Sequence, residues 1–179
     1  MEAEQTIESQ IKSTPSNDEL QAFVGAGNYL SKWQKMRLDK FALAGFNFWA
    51  FLFVHSYYFY RKMYTWGFIF IAVSLLLPLG AVFLFGYIGA KFHLFSSIEQ
   101  LKQQAIILSL AISLLIMLTS GMLANRIYYS YATFSIRTIS KLKLSCENNM
   151  LAIKGKGGVN MAGFFMGLAI TIVSRTFLN

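Results

Sequence analysis

Apolar residues gather into four long runs, separated by polar and basic segments. Residues 64–90 contain no charged side chain, and residues 105–124 are equally free of charge. Residues 159–178 carry only Arg175, near their end. A helix needs about 20 predominantly apolar residues to cross a ~30 Å hydrocarbon core, so each of these runs predicts a crossing. Arg175 is expected to snorkel to the headgroups. Pro78 and Gly80 predict a kink in the first crossing, which helps its length fit the core. The run 42–60 is different: Asn47, His55 and Ser56 interrupt it, and half of residues 41–60 are Phe, Trp or Tyr. Trp and Tyr favour the membrane interface, where ring and polar tip are both satisfied.

The segments between the runs have their own patterns. Residues 1–20 are polar, hold most of the acids and lack the basic start and apolar run of a signal peptide; they predict a disordered tail. In residues 28–41, Tyr29, Leu30, Trp33 and Met36 recur at near-helical spacing, with Lys32, Lys35, Arg37 and Lys40 on much of the remaining surface. That predicts a basic amphipathic helix at headgroup level. Residues 125–144 predict a second, with Arg126, Ser130, Thr133, Arg137 and Lys141 as its polar stripe. Residues 145–158 read as a short connection ending in glycine.

Composition agrees with a bilayer: the chain is 55% hydrophobic and only 13% charged, where soluble domains carry about 25% charged residues. The net charge is +8, and the bases flank apolar runs. An anionic membrane surface therefore explains them better than nucleic acid does. Their distribution also separates two topologies. If 42–60 spans, there are four crossings and the bases fall on both sides. If it lies in or dips into the interface, there are three. Nearly every Lys and Arg then shares one side, leaving Lys91 and Lys102 opposite and Arg175 near the far end. The positive-inside rule prefers three crossings, with the N-terminus cytoplasmic and the C-terminus outside. The expected fold is an all-α membrane protein: about three transmembrane helices, an aromatic interfacial or re-entrant helix, and basic amphipathic helices. Residues 21–179 form its single membrane domain, with an interfacial part at 28–60.

Phe46-Asn47, Trp49-Ala50-Phe51 and Tyr60-Arg61-Lys62-Met63-Tyr64, followed by a long apolar helix, resemble DUF2628, a family of bacterial membrane proteins of unknown function. Gly121, Ala124, Asn125, Tyr128 and Tyr129 fit its pattern after the next helix, and Phe23-Val24-Gly25 with Tyr29 and Trp33 its leading element. The resemblance covers roughly residues 23–145, and Tyr-Arg-Lys-Met-Tyr is its specific part. It implies a bacterial inner-membrane location and no activity. Val54-His55 stands where the family favours Gly-Pro, and Phe48-Trp49 shifts the usual Trp. A break in this segment therefore lacks its usual residues. Some relatives carry a zinc ribbon, which a single cysteine, Cys146, excludes.

Opposite helix directions bring Arg61 and Lys62, which precede the first crossing, to the same level as Asn125 and Arg126, which follow the second. Asn160, at the start of the third crossing, joins them. Together with Asn47, Trp49 and Tyr64 from the resemblance, Arg61, Lys62, Asn125 and Arg126 are candidate contacts for an anionic lipid or a partner. Ordinary topogenic anchoring is the competing reading of the bases. Gly163 and Gly167 form a GxxxG that suits close helix packing, within the chain or between copies. His55 and His93 are too few and too separated for a metal site, and Ser56 beside His55 has no acid to orient a base. No catalytic residue, metal or cofactor is expected. The predicted crossings contain no Asp or Glu, which disfavours an autonomous coupled transporter. The expected function is non-enzymatic: association with anionic lipid and a membrane protein partner. The alternative is a subunit of an oligomeric channel or transport complex, and an interfacial lipid-modifying enzyme using Arg61 or His55 is a third.

Overall fold

The computed structural model describes residues 14–25, 27–38 and 45–178, with the side chains of residues 35, 37, 38 and 174–178 left out. The expectations for residues 1–13, for the end of the 28–41 segment and for the Arg175 side chain lie outside the described residues. Among the described residues seven helices follow one another: α1 (Asn17–Val24), α2 (Leu30–Leu38), α3 (Phe48–Tyr60), α4 (Tyr64–Lys91), α5 (Ile98–Ser140), α6 (Cys146–Lys156) and α7 (Met161–Leu178). No strand occurs among the described residues.

Three stretches are long and apolar enough to cross a membrane: Tyr64–Lys91, Ile98–Ser140 and Cys146–Val173. The last is interrupted at residues 157–160, so its apolar part is α7. Phe83, Leu76, Leu110 and Leu115 all stand exposed on α4 and α5. So dense an apolar surface suits hydrocarbon and not water, as a multi-pass membrane protein requires. α4 runs unbroken through Pro78. The 43 residues of α5 extend about 65 Å, roughly twice the core of a bilayer. The expected second amphipathic helix is thus the continuation of a crossing, not a separate element.

Where α5 emerges it becomes the spine of a small core. Leu20, Phe23 and Val24 of α1, Trp33 and Met36 of α2, and Ile153 of α6 pack on Tyr128, Ala132 and Ile136 of α5. The polar tail expected through residue 20 ends sooner. Ser16 and Glu19 form a reciprocal capping box, each accepting the other's backbone N–H, and start α1 at Asn17. Residues 145–158 are likewise no simple connection: Ser145 caps an 11-residue helix that packs on α1. The signal was Ser145 followed by polar helix formers. α2 does carry Lys32 outward, but Trp33 and Met36 are buried in protein, so its apolar side meets this cap and not lipid.

α3 lies between α7 and the α4–α5 pair. It is bent: Val54 sits at φ 35° and ψ −109°, outside helical geometry. The break is therefore present without Gly or Pro. A β-branched residue there costs on the order of 1–3 kcal/mol, which the surrounding packing must offset. The two limbs fold back beside one another, and both meet Ser120 of α5, the first through Ala50 and the second through Tyr58. At the entry, Asn47 N–H donates to the Gly121 carbonyl at 2.8 Å. At the exit, the Tyr131 hydroxyl donates to the Lys62 carbonyl at 3.1 Å. Along α7, Asn160 N–H meets the Tyr60 carbonyl at 2.7 Å, whereas Thr171 meets His55 at 2.6 Å. Eleven helical residues separate those contacts, so the bend lies about 16 Å deep, near half a bilayer core. α3 is a helical hairpin that leaves at the cap end, beside Tyr131, and enters about ten residues earlier along α5, beside Gly121.

Candidate functional site

Two side chains stitch the hairpin limbs together. Asn47 caps α3 by accepting the Ala50 N–H and donates from Nδ2 to Tyr57 Oη at 3.0 Å and to Asn125 Oδ1 at 2.9 Å. Asn125, fully buried, donates in turn to the Gly45 carbonyl at 3.0 Å. Ser120 donates to the Ala50 carbonyl on one limb at 2.9 Å and receives Tyr58 from the other at 3.4 Å. These bonds satisfy buried polar groups that the bend would otherwise leave exposed to hydrocarbon. At the bend itself, Thr171 donates to the Gly167 carbonyl, which makes it the acceptor for His55 Nε2–H.

Arg61, at the end of α3, is 8% exposed and cannot lose its charge. Its Nη2 donates to Tyr29 Oη at 2.9 Å. Its guanidinium stands 4.8 Å from the Tyr29 ring, 5.0 Å from the Tyr128 ring and 5.4 Å from the Tyr60 ring. The faces of these rings are favourable for a cation, but no carboxylate pairs with Arg61; the one ion pair among the described residues is Lys102–Glu99. Nε and Nη1 of Arg61, Nε1 of Trp33 and the Tyr128 hydroxyl are all buried without a hydrogen-bond partner. The rings concerned are mutual neighbours: Tyr29 and Tyr128 have centroids 5.3 Å apart, as do Trp33 and Tyr128, and Tyr29 and Trp33 are separated by 5.6 Å. Each orphaned donor costs about 1–3 kcal/mol, more on a charged group. Tyr29 Oη also lies 3.5 Å from Tyr57 Oη, which links Arg61 through Tyr29, Tyr57 and Asn47 to Asn125.

The sequence candidates thus divide. Asn47 and Asn125 touch, and Arg61 reaches them through two tyrosines. Lys62 is adjacent but occupied, its Nζ donating to the Gly155 carbonyl at 3.0 Å. Tyr64 accepts from Asn160 Nδ2 at 2.9 Å on the other side of the hairpin. Trp49 is 63% exposed and stacks on Phe53, away from the cluster. Arg126 follows Asn125 and is turned about 100° from it. Gly163 and Gly167 face the returning limb of α3. A Cβ on Gly163 would lie 2.8 Å from the Phe59 carbonyl oxygen, and one on Gly167 would lie 2.7 Å from Ser56 Cα. Tyr29, Trp33, Tyr57 and Tyr128, which build the site, were not singled out as site residues. The resemblance marked Tyr29, Trp33 and Tyr128 as part of its pattern, but in so aromatic a chain nothing in the sequence shows that they gather around Arg61.

These features define a class: a helical protein with three membrane-capable helices, a hairpin folded among them, and a capped aromatic core at one end. The chain belongs to the DUF2628 family, described as a protein of unknown function, whose profile matches residues 8–133. The match takes in the hairpin, α4 and α5 through the Arg61 cluster, and ends before α6 and α7. No curated protein and no solved structure matches the chain.

Proposed function

We propose that this is a non-enzymatic protein of the bacterial inner membrane, with its N-terminus and cap in the cytoplasm, that associates with anionic lipid and a membrane protein partner. The observation that carries the reading is the folding back of α3 at Val54, which lays both of its limbs against Ser120 of α5. With three crossings, the cap, Arg61, Lys62, Arg126, Arg137, Lys141, Lys143, Lys154 and Lys156 share one end, while Lys91 and Lys102 lie at the other. One basic end fits the cytoplasmic side by the positive-inside rule, and it faces the anionic leaflet. The cap supplies a folded surface there for a partner.

A native pull-down in mild detergent tests this reading. Anionic lipids are expected to co-purify above their membrane abundance, with an enrichment that falls as salt rises, together with a stoichiometric membrane protein. Purification with zwitterionic lipid alone and no partner would refute it. Recovery as a pure homo-oligomer would favour a channel subunit instead.

A further inference from the structure

We propose that the Arg61 cluster is a binding site for a phosphate-bearing anion, and that Tyr29 occupies that site when it is empty. This rests on the reading above and names the ligand chemistry. Every orphaned polar group in the cluster can donate: Nε and Nη1 of Arg61, Nε1 of Trp33 and the Tyr128 hydroxyl. No carboxylate faces them among the described residues. A buried cation with donors to spare, met only by neutral phenols, lacks an anion. The guanidinium fork matches two phosphate oxygens in a way that a single phenol does not.

Tyr29 marks where the anion enters. Its hydroxyl takes one Arg61 N–H at 2.9 Å, as one phosphate oxygen would. Two cations converge on its ring, Arg61 at 4.8 Å and Lys32 at 6.0 Å. Lys32 is exposed, so an anion replacing the ring would meet one buried and one solvent-facing base. Tyr29 is half-buried and immediately precedes α2. Its displacement would free that helix from Arg61 while Trp33 keeps its ring contacts to Tyr128 and Tyr129. The ligand is either a lipid headgroup, entering at the cap–membrane junction, or a soluble phosphate compound, entering from the cap side.

The test uses the full chain in nanodiscs at high salt, where diffuse attraction is screened. Nanodiscs of phosphatidylcholine are compared with mixtures containing phosphatidylglycerol, and inorganic phosphate is titrated into the former. Retention of discrete lipid is read by native mass spectrometry, phosphate binding by calorimetry, and amide exchange over residues 28–38 reports release of Tyr29. One anion is expected to bind per chain and to speed that exchange. Arg61→Lys, which keeps charge but loses the fork, should weaken binding by about tenfold or more. Tyr29→Phe, which removes the competing hydroxyl but keeps the ring, should strengthen it several-fold. A response to phosphatidylglycerol alone identifies a lipid, and a response to phosphate alone a soluble ligand; either supports the site. No response in both arms, or Tyr29→Phe weakening binding as Arg61→Lys does, would overturn it and leave Arg61 a cation–π pin. Salt-sensitive lipid enrichment in the pull-down would survive that result, so the two readings fail separately.

Discussion

Asn47 has three duties in one amide: Oδ1 caps α3, and Nδ2 joins Tyr57 to Asn125. Those duties are separable. Asn47→Ser keeps a capping oxygen but is too short to reach either partner, so it should retain about 1 kcal/mol of cap energy that Asn47→Ala loses. Side-chain hydrogen bonds between membrane helices average about 0.6 kcal/mol and reach about 1.7. In a cycle of Asn47→Ser with Asn125→Ala, measured in lipid, the double variant should cost less than the sum by an amount in that range. Additive effects would mean that the two amides act independently. The importance of Asn125 was legible because an amide next to an apolar run needs a partner, and Arg61 because it lies in the specific motif. The partners themselves were not. Tyr29 stood out as part of a motif but not as a partner of Arg61, Tyr57 did not stand out at all, and the 28-residue separation of that pair is set by the fold.

Helix lengths were legible because the contrast between hydrocarbon and water is written directly along the chain. Residues 64–90 became α4 almost to the residue. The hairpin was legible only as an aromatic segment too polar to span. Its turning point was not, because Val54 is a poor residue for φ 35°, and the groups that brace the limbs include Ser120 and α7, both distant in sequence. α6 was missed for a related reason: its 11 residues have weak apolar patterning, and burial of Ile153 beneath α1 decides its place. Packing of α7 on the hairpin gives the test at this scale. Gly167→Ala puts a Cβ 2.7 Å from Ser56 Cα, against backbone that cannot yield like a side-chain tip. A loss of about 1–3 kcal/mol is expected. Gly155→Ala, in α6 with nothing within 4 Å of the added Cβ, should instead gain about 0.5–1 kcal/mol of helix stability. Thermal unfolding in nanodiscs compares them. Equal behaviour of the two variants would mean that α7 does not pack as closely as described.

At the scale of the molecule, the hairpin divides the protein into a membrane part and a cap, with the Arg61 cluster where they join. Only α5 is long enough to serve both, and α3 folds back on itself at Val54. The proposed sidedness of the basic residues, and with it the proposed cytoplasmic partner and anionic lipid, all depend on that fold. Cys146 reports it directly. It is the one cysteine in the chain, it is exposed and free, and it follows α5 at the start of α6. With the N-terminus cytoplasmic, three crossings keep Cys146 in the cytoplasm, whereas a spanning 42–60 segment would move it outside. The measurement is labelling of Cys146 by a membrane-impermeant maleimide in intact and in permeabilised cells. The account predicts no labelling in intact cells and full labelling after permeabilisation; labelling of Cys146 in intact cells would contradict it.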